Sequence, residues 1–506
     1  MKKVVFLKNA AILTATSLIL RFVGIFFKVW LAAEIGAQGI GLYQMIFSVY
    51  ILVSTFASSG IVTAVTRLVA DELALGSKSG VKNILRKSLA LTLLLSLFSL
   101  AVTYFGAEFI CITLLGDKRA ILAVKILSFS LPFMGAVSVL RGYFIAGRKA
   151  SPSAVSQLVE QLVRIAVIVL LIKKFSSFGI AAVCAAILFA DVAAHAVSLF
   201  LLWILYLKDA KKLSVLKGRK NPPFSVLRRL LNISIPITAG RYLNTALRTA
   251  ENLLVPKGLE KNSGGSGALA QFGMIKGMAL PVLFFPSSLL GALSTMLIPE
   301  ISEAKALNKN YLVKGATERI IQLTSITAFL FSAVFLVAGD EIGRLIFSSS
   351  EVGFLLCALS PIVPLMYLDS VCDGLLKGLD QQKFCFRTAI GDSALRIILV
   401  LAFLPSFGLM GFLGIMYVSN ILTCFLNVGR LIKVSNAKIS VTFWFLIPFS
   451  VSLTVMLALS RILLLFPLSN LVYIILLCLI GIPIYFFIAF SFKCFTKNDF
   501  LDVFKR

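Results

Sequence analysis

Four cations sit where an apolar sequence has little reason to place them. Arg21 and Lys28 fall in the first apolar segment and Arg241 and Arg248 in the seventh, each pair separated by seven residues. Seven residues make two helical turns, so each pair shares one helix face. A cation at membrane depth costs about 2.5–3.5 kcal/mol on insertion scales, which argues against turning all four toward lipid. Lys276, in the eighth segment, is a fifth of the same kind. Such groups fit a wet, cationic chamber that accepts an anion such as a phosphate or diphosphate. The plainer reading, in which Lys28 snorkels to the outer interface and Arg241 to the inner one, leaves the repeated spacing unexplained.

A second set mixes signs. Glu160/Arg164 and Asp392/Arg396 are i,i+4 pairs on the fifth and eleventh segments, read as ion pairs that brace or gate near the cytoplasmic ends of those helices. Asp191 and His195 have the same spacing and suit either a proton relay or hydrogen bonds to neighbouring helices. Glu251, Asp369 and Asp373 read as buried acids that either bind a coupling cation or neutralise the arginines, and the sequence leaves both open.

The elements that must position these groups follow from hydropathy. Of 506 residues, 59% are hydrophobic and 14% charged, and the mean hydropathy is +0.98. Soluble domains carry roughly 25% charged residues, so most of this surface faces something other than water. Hydropathy places fourteen helices at 9–33, 40–66, 88–110, 121–145, 154–172, 178–207, 231–256, 268–299, 316–338, 352–376, 385–404, 408–429, 441–463 and 469–492. The first follows Lys2, Lys3 and Lys8 but is too long for a signal peptide and has no A-x-A-like site, so it reads as a retained helix. The expected fold class is thus an all-α polytopic membrane protein.

The net charge of +27 would suit nucleic acid were it not confined to one side of these helices. One set of loops holds only Lys118, Arg119, Lys173, Lys174, Lys257, Lys261, Arg344 and Arg461. The alternate loops and both termini hold roughly four times as many cations, which predicts a plasma-membrane protein with both termini cytoplasmic and no nucleic-acid partner. The eight cysteines are scattered without C-x-x-C pairs and read as small buried residues.

The chain also repeats itself. At one constant offset Pro132 falls on Pro364, Gly142 on Gly374, and Glu160 and Arg164 on Asp392 and Arg396. Earlier, Arg21 and Lys28 fall on Arg241 and Arg248. This predicts two six-helix halves in parallel orientation, an N-lobe over 1–207 and a C-lobe over 231–432, joined by a basic cytoplasmic linker at 208–230. Helices 13 and 14 and a cytoplasmic tail fill 433–506. Parallel repeats are an architecture of secondary transporters that hold substrate between their halves. Ser58-Ser59-Gly60, Pro281 and Pro286 mark close packing or kinks. No G-x-x-x-x-G-K-[ST] for ATP, no H-E-x-x-H and no G-x-S-x-G occurs, so the expectation is a transporter with no catalytic residues, resident metal or cofactor.

Two motifs carry a resemblance: Leu20-Arg21-Phe22-Val23-Gly24, and Gly60 followed by Ala64, Arg67, Ala70, Asp71 and Glu72 at the end of the second helix. With the fourteen-helix plan they resemble the polysaccharide-transporter branch of the multidrug/oligosaccharidyl-lipid/polysaccharide exporter superfamily, near its stage V sporulation and lipid II flippase groups. The resemblance implies translocation of an undecaprenyl-diphosphate-linked sugar, a peptidoglycan precursor or another lipid-linked oligosaccharide, by alternating access for cell-wall or spore-cortex synthesis. It implies that Arg21 is the essential cavity arginine, with Lys28 and Lys276 near two further cavity cations, and that the last two helices house the polyprenyl tail. Where Gram-negative lipid II flippases carry a basic residue in the second helix, this chain reads Tyr50 to Ala57 without one. Coupling to Na+, to H+ or to the membrane potential is left open, as is association with cell-wall synthesis proteins. A drug/cation antiporter of the same superfamily and a non-transporting scaffold are the competing readings. The first of these calls for acids rather than cations in the chamber.

Overall fold

The computed structural model describes residues 2–212, 223–263, 267–492 and 494, and the described residues are overwhelmingly helical. Ten stretches are long and apolar enough to cross a membrane. Two of these stretches each contain two helices. Lys2–Ala74 breaks at Gly36 (φ 71°) into α1 (2–35) and α2 (37–74), and Gln382–Ser435 breaks at Gly408 (φ 53°) into α11 (382–407) and α12 (409–435). A positive φ favours glycine because it has no Cβ to strain. At Gly408 the turn is also capped, because Asn262 Nδ2 donates to the carbonyls of Pro405 and Ser406 at 3.3 and 3.1 Å.

The remaining helices are α3 (Lys78–Phe105), α4 (Lys118–Ala146), α5 (Ala150–Phe175), α6 (Ile180–Lys212), α7 (Pro223–Ser263), α8 (268–306), α9 (Asn310–Phe347), α10 (Ser350–Gly378), α13 (Thr442–Leu463) and α14 (Asn470–Ser491). Fourteen helices among the described residues match the number read from hydropathy. The multi-pass, all-α class is therefore established. Of these, α7 is not among the ten apolar stretches, because Arg241, Arg248 and Glu251 lie inside it. Helix α8 is interrupted twice, by a wide π turn over Met274–Ala279 and by a break at Phe285 and Pro286. The missing N–H of Pro281 and Pro286 removes the helical bonds that would keep it straight.

Helix ends differ from the hydropathy reading. The basic segment 67–87, expected to be a loop, is helical on both sides of Gly76, with α2 running to Ala74 and α3 starting at Lys78. Charged helical extensions outside the apolar core are invisible to a hydropathy window. The central part of the expected linker, 213–222, and the tail beyond Cys494 lie outside the described residues.

The chain forms two compact units, one of residues 1–27 and 41–254, the other of 28–40 and 255–506. Neither boundary coincides with the lobes read from the repeat, because the first part of α7 packs in the first unit and the end of α1 in the second. In the first unit, Ala64 and Leu68 of α2, Ile84 and Leu85 of α3, Leu140 and Phe144 of α4 and Leu202 of α6 form one buried cluster with Val226 and Leu230 of α7. In the second unit, α14 is held to α9 by Tyr485 Oη donating to the Ile326 carbonyl at 2.9 Å. Phe445 and Phe449 of α13 meet Phe329 of α9 edge-on. All eight cysteines are free thiols, and all but Cys357 and Cys478 are buried.

Candidate functional site

The helix that carries Arg241 and Arg248 is fixed along its length to α2. Near one end Thr249 Oγ1 donates to the Ser48 carbonyl and Asn252 Nδ2 to Ser48 Oγ, both at 3.0 Å. In the middle the Gly60 amide donates to Thr238 Oγ1 at 3.1 Å. A Cβ on Gly60 would run into the Ser234 carbonyl, so only glycine permits this approach. At the other end Arg229 reaches Asp71 at 3.3 Å and Glu72 at 3.6 Å. The three contacts step in opposite directions along the two helices, which makes the seam antiparallel. The sequence motif from Gly60 to Glu72 is thus one half of this seam.

Held in this way, α7 presents Arg241 and Arg248 as exposed side chains, and Arg248 Nε donates to Asn244 Oδ1 at 3.2 Å one turn away. Arg21 of α1 belongs to the same unit and is also exposed. A charge exposed inside an apolar segment is more stable against water or an anion than against lipid. Lys28 and Lys276 belong to the second unit. Lys28 is exposed, whereas Lys276 is half-buried in the π turn of α8, with its Nζ 5.8 Å from the centre of the Phe412 ring. Wide turns of this kind recur at functional positions because they re-aim a side chain. In the same turn Gly277 lies against Ile40, where a Cβ would collide with the isoleucine.

Glu160 and Arg164 lie in a larger network within the first unit. Arg141 of α4 pairs with Glu160 at 2.7 Å, with side-chain exposures of 20% and 12%. It also donates to Ser156 and Ser198 at 3.0 and 3.1 Å. Arg164 bonds Glu160 at 3.3 Å, Gln161 at 2.7 Å and, most closely, Asp191 of α6. His195 completes the group, with Nδ1 3.5 Å from Glu160 Oε1 and Nε2 3.5 Å from Tyr50 Oη of α2. Ser130 of α4 donates to that same Tyr50 oxygen at 2.9 Å.

Two arginines and two carboxylates balance, which is the condition for keeping charge inside a membrane protein. Because α5 starts at Ala150, Glu160 stands about 15 Å along it at 1.5 Å per residue. Arg141 and Tyr50 have no i,i+4 partner in the sequence. The signal that exposes Arg141 is its place in the repeat, opposite Asp373.

The second unit keeps a reduced form of this arrangement. Arg396 Nε bonds Asp392 at 3.1 Å and Ser419 Oγ of α12 at 2.6 Å, and Ser419 also donates to Asp392. Asp369 of α10 accepts from Asn427 Nδ2 at 2.7 Å. Of the three acids read as buried, Glu251 is so, but Asp369 is only partly covered. Asp373 is one-third exposed and pairs with Lys377 one turn on. Among the described residues no three acidic, histidine or cysteine side chains gather into a metal-binding group.

A family model described as polysaccharide biosynthesis protein matches residues 6–305, more than half of the chain. In Bacillus subtilis (strain 168), stage V sporulation protein B is 29% identical, over 87% of this chain and 86% of its own. Lipid II flippase MurJ of the same organism is 24% identical, over 78% and 76%. Among solved structures, lipid II flippase MurJ in an inward closed conformation matches with a TM-score of 0.71 at 15% identity, covering 95% of this chain and 98% of that one. An inward-facing multidrug resistance MATE family transporter of the MOP superfamily matches with 0.64 at 13% identity, covering 83% and 96%. At these identities the structural likeness is one of fold.

Proposed function

The chain belongs to the polysaccharide biosynthesis protein family, and from that premise we propose that it is a flippase for an anionic, lipid-linked saccharide. The cargo class is an undecaprenyl-diphosphate-linked sugar, such as a peptidoglycan precursor, moved from the inner to the outer leaflet of the bacterial plasma membrane by alternating access. Both termini are then cytoplasmic, and the product serves cell-wall or spore-cortex synthesis. The observation that carries the reading is the set of exposed cations Arg21, Arg241 and Arg248 in segments that hydropathy reads as spans. A diphosphate is the chemical group that offsets several such charges at once, and guanidinium groups match its oxygens in bidentate fashion. Lys28 and Lys276 are the further cations assigned to the headgroup. Glu160 with Arg164, and Asp392 with Arg396, are assigned to bracing the helices of their own units, and Glu251, Asp369 and Asp373 to charge compensation.

The relatives named above support this class, since one is named a lipid II flippase. A multidrug antiporter finds support in the fold likeness alone. The test is translocation of a fluorescent undecaprenyl-diphosphate-linked sugar in proteoliposomes, with and without an imposed potential. The expected result is transport by the native chain and at least about a tenfold loss in Arg21→Ala and Arg248→Ala, the effect of about 1.4 kcal/mol of lost headgroup binding. Equal transport by all three chains would overturn the reading.

A further inference from the structure

Three arginines of this chain have an acid four residues before them on the same helix. Glu160 precedes Arg164, Asp340 precedes Arg344 and Asp392 precedes Arg396, and the pairs close at 3.3, 2.8 and 3.1 Å. Residues four apart face one another, so each acid offsets its arginine's charge and sets the direction of the guanidinium at once. Before Arg248 the same place is filled by Asn244. Arg248 Nε donates to Asn244 Oδ1 at 3.2 Å. The spacing and the bond are those of the ion pairs, and the charge is not.

An amide in the place of an acid changes what the arginine can do. Arginine carries only donors, so the amide must turn its oxygen to Nε and its own donor, Nδ2, the other way. With Nε engaged, Nη1 and Nη2 form the end-on fork that matches two oxygens of a phosphate. The amide also adds no negative charge to a helix face that carries Arg241, three residues before Asn244 and seven before Arg248. Both arginines are exposed, with Asn244 half-buried between them. The backbone beneath is fixed, because Thr249, next to Arg248, donates to the Ser48 carbonyl of α2 at 3.0 Å.

We infer that Asn244 is a positioning residue for phosphate or diphosphate on α7: its oxygen aims the end of the Arg248 guanidinium, and its neutrality keeps that face cationic. A carboxylate at this position would satisfy Arg248 within the helix and compete with the anion for it. An aliphatic side chain would keep the charge and lose the aim. That the phosphate belongs to a lipid headgroup rests on the flippase reading, whereas the aiming of Arg248 at a phosphate does not. Free diphosphate presents the same oxygens without the lipid, which lets the two sources be told apart.

The test is calorimetric binding of inorganic diphosphate to the full chain in nanodiscs, beside translocation of the lipid-linked sugar in liposomes. Asn244→Asp keeps the shape, restores the acid of the other three pairs and should weaken diphosphate binding at least about tenfold, the mark of losing one charge-assisted contact. Its unfolding midpoint should not fall, because one i,i+4 bond replaces another. Asn244→Ala should weaken binding about threefold, as the loss of one neutral hydrogen bond does. Arg248→Lys keeps the charge but has neither Nε nor a fork, so in that background most of the Asn244→Ala effect should vanish. Equal binding by the native chain and Asn244→Asp, or an Asn244→Ala loss that persists in full with Arg248→Lys, overturns the positioning role and leaves the flippase reading intact. Diphosphate binding that depends on Asn244 in a chain that moves no lipid-linked sugar overturns the flippase reading and makes free phosphate the ligand. If the native chain moves the lipid without holding free diphosphate, the tenfold loss is read in transport by Asn244→Asp, and its absence overturns the inference. A native chain that does neither overturns both.

Discussion

The charge network of the first unit and its counterpart in the second start from the same repeated pair and end in different chemistry. Glu160/Arg164 falls on Asp392/Arg396, and in both units the arginine ties its own helix to the next one in the chain. In the first unit the tie is a second carboxylate, Asp191, and in the second it is a hydroxyl, Ser419. By the same offset Arg141 falls on Asp373, and His195 falls on Asn427, which donates to Asp369. The repeat therefore preserves what joins helix to helix and varies what carries extra charge. An amide and a hydroxyl hold their geometry without adding charge, whereas a second arginine and a second acid make a larger, balanced ionic network.

The contrast makes its strongest claim at the shared acid. Glu160→Ala leaves Arg141 and Arg164 with Asp191 as their remaining carboxylate and should cost about 3–5 kcal/mol, the range for stripping one partner from a buried pair. Asp392→Ala leaves Arg396 its bond to Ser419 and should cost about 1–3 kcal/mol. Thermal unfolding of the purified variants in one detergent measures both, and equal losses would break the comparison.

A second contrast concerns glycines. Gly60→Val pushes a side chain into the Ser234 backbone, which cannot move aside, while Gly277→Val meets the side chain of Ile40, which can repack. Both overpack, at about 1–3 kcal/mol, with Gly60 expected at the upper end and accompanied by loss of transport because the α2–α7 seam opens. Unfolding midpoints and the liposome assay read the two effects separately. The smallest effect belongs to the surface pairs. Asp71→Ala, which removes the exposed pair with Arg229, and Lys377→Ala, which removes the pair with Asp373, should each cost less than about 1 kcal/mol and lose even that in high salt. Unfolding with and without added salt tests this, and a large salt-independent loss for Asp71→Ala would give that end of the seam a role that solvent-screened pairs do not have.

Much of this was legible in the chain. Apolar length fixed the number of helices, because each span must satisfy its backbone within itself. The spacing of Glu160 with Arg164 and of Asp392 with Arg396 fixed two ion pairs, because residues four apart on a helix face one another. The pairings that give the network its character were not legible. Arg141 meets Glu160 from another helix, 19 residues away, and Tyr50 meets His195 across 145. The acids Asp71 and Glu72 find Arg229 only because glycine at position 60 lets two helices close on each other.

The sequence by itself determined that this is a multi-pass membrane protein, how many helices it forms and which cations are out of place, since all three follow from local composition and helical period. Only the tertiary structure decided which helices face one another. That choice turns isolated charges into a balanced network with a histidine between two helices, because partners at long separation are selected by packing and not by spacing along the chain.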